Sequence, residues 1–205
     1  MKVSKEQQEL NRTALVGAAS RLFRREGIDA VGVKEIAHEA GLTHGALYAH
    51  FSSKDELAAE AFDKGFREGL SHLENAAAAG ADIPATFLDL YIGKANGPDD
   101  LEKRCPMLAS TCELGRQGME MSEKVLVSQR RLHELLSVEG PGGLDPAVAD
   151  LLLAASVGAA AISFGMQKAS PRRAAAFAGG VRAKLQELVD SHQAASAKAR
   201  TTKRR

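Results

Sequence analysis

The chain has 205 residues, 44% hydrophobic and 26% charged, with 27 Lys/Arg against 26 Asp/Glu. That balance suits one large soluble domain or a small head on a larger body, and a net charge of +1 excludes a protein that coats nucleic acid by charge alone. Two cysteines are too few for a disulfide scaffold, and the polar stretch MKVSKEQQELNR does not read as the apolar core of a signal peptide.

Aromatic residues make up only 4%, Trp is absent and Ala is abundant, a composition that favours helix over sheet. Residues 1–10 read as a polar, disordered arm. From Asn11 to Glu26, Leu15, Ala18, Ala19, Leu22 and Phe23 recur on one helical face, and Gly27 stops the pattern behind Arg24 and Arg25. A shorter apolar pattern follows with Ile36, Ala37 and Ala40, interrupted by Gly41. Thr43 then offers an N-cap for a second short helix whose inward residues are Ala46, Leu47 and Phe51. A small residue where two helices touch, a turn glycine and an apolar anchor beyond it are the skeleton of a helix-turn-helix.

Ser53 and Glu56 have capping-box spacing at the head of a helix expected to reach about Ala79, carrying Leu57, Phe62, Phe66 and Leu70. Gly80 and Pro84 precede a short apolar helix with Phe87 and Tyr91, which ends at Asn96-Gly97-Pro98. Pro106 fits the first turn of a helix containing Met107, Leu108, Cys112 and Leu114. Another holds Val125, Leu126, Leu132 and Leu136, closed by the loop Gly140-Pro141-Gly142-Gly143. Asp145-Pro146 and Ser170-Pro171 open the last two helices, to about Lys168 and His192. The apolar run from Ala147 to Phe164 is broken by Asp150 and diluted with Ala, Ser and Gly, too weak for a membrane span. No stretch alternates like a strand.

Within the helix-turn-helix, Ile36-Ala37, Ala40-Gly41-Leu42, Gly45-Ala46-Leu47-Tyr48, His50-Phe51 and Lys54-Asp55-Glu56-Leu57 resemble the DNA-binding domain of the tetracycline-repressor-like (TetR) family of bacterial transcription regulators. The likeness reaches back through Ala18-Ala19, Leu22-Phe23 and Glu26-Gly27. It implies an all-α homodimer: a three-helix helix-turn-helix head at 1–52 and a helical ligand-binding and dimerisation body at 53–193. Residues 194–205, with Lys198, Arg200, Lys203, Arg204 and Arg205 and no acid, form a basic, disordered tail in this reading.

The N-terminal residues of a helix laid in a major groove reach base edges. Thr43, His44, Gly45 and Ala46 occupy that end of the second helix. Resemblance adds Tyr48, His50, Lys54 and Lys34 as phosphate contacts. It also places a Thr where this chain has Gly32, so one hydroxyl contact is missing.

Farther on only pattern speaks. Phe62, Phe66, Phe87, Tyr91, Met107, Thr111, Cys112, Met119 and Phe164 are candidates to line an effector pocket, and no charged residue declares itself, which favours an apolar or neutral small molecule. Leu151, Ala155, Gly158, Ala159, Ile162, Leu185, Leu188 and Val189 combine small and apolar side chains, and the resemblance places a homodimer interface on these helices. The expected partners are therefore a palindromic DNA operator, a small-molecule effector and a second copy of the chain, in the cytoplasm and away from membranes. No glycine-rich phosphate loop, nucleophile elbow or HExxH is present, so an enzyme is not expected, nor a cofactor or a metal. A redox-responsive regulator built on Cys105 or Cys112, or a scaffold acting through protein contacts, are the alternatives.

Overall fold

The computed structural model describes residues 4–93, 105–137 and 143–203, and among these every regular element is helical. In chain order they are α1 (Lys5–Glu26), α2 (Val33–Glu39), α3 (His44–Tyr48), α4 (Lys54–Ala78), α5 (Ile83–Ile92), α6 (Pro106–Ala109), α7 (Thr111–Leu114), α8 (Met119–Leu136), α9 (Pro146–Met166) and α10 (Pro171–Lys203). The chain packs as two compact units. One is Met1–Gly69 with Leu101–Ser128; the other is Leu70–Asp100 with Gln129–Arg205.

In the first unit α1 buries Leu15, Ala18, Ala19, Leu22 and Phe23, α2 and α3 bury Ile36, Ala37 and Leu47, and Phe51, just past α3, is buried too. The helix starts well before the expected Asn11, because the Ser4 hydroxyl caps the Gln7 N–H at 3.1 Å and Lys5 to Glu9 are good helix formers. At the start of α4 the Ser53 hydroxyl accepts the Glu56 N–H (3.1 Å), while the Glu56 carboxylate reaches back to the Ser52 N–H and hydroxyl, both at 2.7 Å. These bonds, the hydroxyl first, hold the Glu56 carboxyl below its usual range. The single helix expected around Cys112 is two short ones, α6 and α7, broken at Ser110 (φ −116°, ψ 14°).

In the second unit α9 and α10 pack on each other, and α5 packs against both. Asp82 caps α5 through the Ala85 N–H (2.9 Å), and Asp145 caps α9 through the Ala147 N–H (3.0 Å). By length and composition α9 could cross a membrane, yet it buries Leu152, Leu153, Ser156, Ala159 and Ala160 within the unit as a core helix. The last helix does not end near His192. Ala194, Ala195, Ala197 and Ala199 are the strongest helix formers, and they carry α10 to Lys203, so residues 194–203 are helical rather than disordered. Asn96-Gly97-Pro98 and Gly140-Pro141-Gly142 lie outside the described residues.

Candidate nucleic-acid interface

The turn between α2 and α3 is set by one glycine. Gly41 has φ +70°, a conformation that side chains with a Cβ rarely adopt, and no neighbouring atom would crowd a side chain there; backbone geometry alone calls for glycine. With it in place, the Leu42 N–H donates to the Ala37 carbonyl (2.8 Å) and the Gly41 N–H to that of His38 (2.9 Å), closing α2. Thr43 then caps α3 by accepting the Ala46 N–H at 3.3 Å.

Leu47 is fully buried and orients the five-residue α3 on the core, with Ile36 and Ala37 buried in the same head. The opposite face is left to solvent. Thr43, His44 and Gly45 are exposed at its N-terminal end, with Ala46 partly so. The Tyr48 ring is 52% exposed and meets the His44 ring edge-on, centroids 5.2 Å apart. Lys34 is exposed on α2, while His50 and Lys54 are half-buried beyond α3, the Lys54 ammonium lying 6.0 Å from the Phe23 ring centroid. Gly32 is the N-cap of α2 and supplies no side-chain bond. The sequence-expected residues on α3 therefore form a polar, exposed rim at Thr43–Tyr48, with Lys34, His50 and Lys54 on the flanking segments.

That rim has a second support that the sequence hides. At the C-terminus of α1, Gly27 (φ +94°) turns the chain toward α2, and the next two amides donate to one carboxylate: Ile28 N–H to Glu113 Oε2 at 2.9 Å, Asp29 N–H to Glu113 Oε1 at 3.0 Å. The Asp29 carboxylate in turn accepts from Arg116 (3.0 Å) and Gln117 (3.3 Å). The Arg116 bond, foremost, draws the Asp29 carboxyl below its ordinary range. A side chain at Gly27 would press on the Glu113 carboxylate at 3.0 Å. The α7 segment thus clamps the turn from which α2 and α3 depart. More than 80 residues separate the partners, and no local pattern announces such a pairing.

The profile of the bacterial regulatory proteins, tetR family, matches residues 15–61, the stretch from mid-α1 through the start of α4. That stretch is a TetR-type DNA-binding domain.

Curated relatives match over little more than a third of the chain. The chain is 32% identical over 76 residues to the uncharacterised HTH-type transcriptional regulator YfiR of Bacillus subtilis (strain 168), and 38% over 77 residues to the HTH-type transcriptional repressor KstR2 of Rhodococcus jostii (strain RHA1). Each match spans 37% of this chain and 37% of the relative's own length. Solved structures carry the fold farther. A TetR regulator from Chloroflexus aurantiacus J-10-FL superposes with a TM-score of 0.73 over 90% of this chain and 96% of its own, at 22% identity. The multidrug-binding protein EbrR, solved with ethidium, gives 0.61 over 87% and 97%, at 21%. At such identities they establish the TetR fold of the body and nothing about its ligand.

In that TetR-like body the expected pocket residues fall into two groups. Phe62, Phe66, Phe87 and Tyr91 are buried, the last two stacked with centroids 4.2 Å apart, and act as core. Met107 is half-buried, while Thr111, Cys112, Met119 and Phe164 face solvent, Met119 at 76% exposure. Phe62 does line a hollow, with Ser20, Phe23, Ile28, Pro106 and Ser110, but its volume of about 10 Å³ takes roughly one water molecule.

The expected interface residues also divide. Ala159, Leu185 and Val189 are consumed by packing inside the unit, so they are no part of a free face. Leu151 (52% exposed) and Ile162 (54%) remain outside, with Ala155 and Gly158 half-exposed between them and Leu188 half-exposed on α10. On α9 the spacing 151, 155, 158, 162 is a single helical stripe.

Proposed function

We propose that the chain is a cytoplasmic, homodimeric, one-component transcription repressor. It reads a palindromic operator with two copies of α3 and leaves it when a small, apolar or neutral effector binds the body. The single observation that carries this reading is the exposed Thr43–Tyr48 rim on a helix locked down by fully buried Leu47. The KstR2 relative's name as a repressor and the ethidium-bound EbrR neighbour support the sign of regulation and the presence of an effector.

One head makes too few contacts for a unique genomic site, and the apolar stripe on α9 offers a self-complementary surface of the kind a two-fold dimer uses. Two α3 helices then address half-sites about one helical turn (~34–36 Å) or a multiple apart. Release requires an effector that prefers the conformation in which the heads no longer match that spacing; one that binds both conformations equally shifts nothing. Inside the head's own unit, the Glu113 clamp is the element through which a displaced α7 would tilt α2 and α3.

A gel shift on the chain's own upstream DNA, with a scrambled duplex of equal length as competitor, tests the proposal. Preferential retention of the upstream fragment, lost in Tyr48→Ala, is expected. Equal binding to both duplexes, or to neither, would mean that the protein works through protein contacts instead.

A further inference from the structure

A groove of about 400 Å³ opens between α1, α4 and the first half of α8, all within the unit that carries the reading rim. At that volume, near the lower end of small-molecule sites, it takes a compound of amino-acid size. Buried Val16 lines it from α1, with the Thr13 side chain beside it. The rest of the lining is charged, and each of the three helices contributes both signs.

Most of these charges are already matched inside the chain. Arg12 holds the Glu60 carboxylate through both terminal guanidinium nitrogens, Lys64 pairs with Glu68, and Arg67 pairs with Asp63 at 2.9 Å. Three are not. The Lys124 side chain is half-buried, yet its ammonium stands 3.9 Å from Asp63, too far for a hydrogen bond, and Asp63 is already held by Arg67. Glu9 and Glu120 accept no hydrogen bond and form no ion pair among the described residues. One groove therefore holds an ammonium without an acceptor and two carboxylates without a donor, from α8 and α1.

The chemistry of these three groups narrows the ligand. A dication or a dianion would satisfy one sign and be repelled by the other. A phosphate ester calls for several open cations, and Lys124 alone is open. An apolar compound would strip water from the charged lining and return no hydrogen bond for it. A molecule with one carboxylate and one ammonium meets both needs at no net charge.

We propose that the α1–α4–α8 groove binds a small zwitterion of the amino-acid type, its carboxylate on Lys124 and its ammonium on Glu9 and Glu120. The site lies outside the body, in the head's own unit, and it has a link to the reading rim. The Arg12 guanidinium that lines it also stacks on the Phe51 ring, 4.5 Å from the centroid, just past α3. The proposal goes beyond the regulator reading and is tested without DNA, so either can fail while the other stands.

The full-length chain is titrated by calorimetry with each free L-amino acid and with the N-acetyl amide of each, which keeps the side chain and loses both backbone charges. Putrescine and succinate serve as the dication and the dianion. At least one free amino acid should bind, one per chain, with a dissociation constant below about 1 mM, and its N-acetyl amide should not. Lys124→Gln, and Glu9→Gln with Glu120→Gln, should each weaken that binding about tenfold or more, the loss of a charge-assisted hydrogen bond. Lys168→Gln, at an exposed cation of the other unit, should leave it unchanged. All the altered side chains are exposed or half-buried, so the variants should melt as the unaltered chain does. The proposal is overturned if no amino acid binds up to about 10 mM, or if the N-acetyl amide binds equally well. Tighter binding of putrescine or succinate than of any amino acid would overturn it too, as would an affinity unmoved by Lys124→Gln.

Discussion

The chain presents two faces to its surroundings, and they are built in opposite ways. The α3 rim is polar, spans five residues, and depends on one buried side chain, one cap and one left-handed glycine for its direction. The α9 stripe is apolar, spans most of a 21-residue helix, and owes its position to a whole packed face with α10 and α5 behind it. A surface meant for a polyanion can be small if it is rigid, because each contact is a directed hydrogen bond. An apolar surface that pairs with another protein must be broad, because its energy scales with the area removed from water.

That contrast sets the order of expected damage. Leu47→Ala should cost about 2–5 kcal/mol, the usual loss for a fully buried leucine, and should abolish operator binding while the helices of the other unit persist. Chemical denaturation followed by circular dichroism, alongside a binding titration, would show whether the two losses travel together. On the other face, Leu151→Asp with Ile162→Asp should leave the fold intact but convert a dimer to a monomer at micromolar concentration by sedimentation. Persistence of the dimer would remove α9 from the interface.

Glu113→Ala tests the support of the reading rim. It strips the acceptor from two backbone amides, for which about 1–3 kcal/mol is the expected loss, and it should weaken DNA binding more than Arg116→Ala does. Equal effects of the two changes on binding would reduce the clamp to an ordinary packing contact.

A smaller effect belongs to pH. Asp29 and Glu56 titrate lower in the folded chain than in the unfolded one, so their stabilisation is complete above about pH 5 and is lost as the pH falls through their folded values. The deficit in melting temperature of Glu56→Gln relative to the unaltered chain should therefore be largest at pH 7 and shrink toward pH 3. A deficit independent of pH would mean the carboxylate is not what Ser52 holds. Smallest of all, Gly32→Thr should change stability by no more than a few tenths of a kcal/mol, since glycine and threonine are near-equal N-caps, read as a melting temperature almost unmoved.

How legible each part was follows from the same contrast. Gly41, Thr43 and Leu47 sit within seven residues of one another, so local spacing reveals the turn, the cap and the anchor together, and the structure places each in its expected role. Pro106, Asp145 and Ser170 likewise announce their helix starts. The Glu113 clamp joins residues more than 80 positions apart and leaves no trace in any window. In α9 and α10, leucines and alanines follow the same period whether they face the chain's own core or a partner. Nothing in the pattern separates buried Val189 from exposed Ile162. The pocket residues fail to declare themselves for the same reason: Phe87 and Met119 look alike in sequence, yet one is sealed in the core and the other stands in solvent. At both ends of the chain polar composition suggests disorder, whereas Ser4 capping and terminal alanines extend the helices.

Hydroxyl-radical footprinting of the chain on its upstream DNA, at a protein-to-duplex ratio fixed by sedimentation, addresses the paired-head account most directly. Two protected patches on one side of the duplex, about one helical turn (~34–36 Å) or a multiple apart, with an even number of protomers per site and both patches fading in Tyr48→Ala, are predicted. One patch held by one protomer, or protection untouched by the loss of Tyr48, would contradict it.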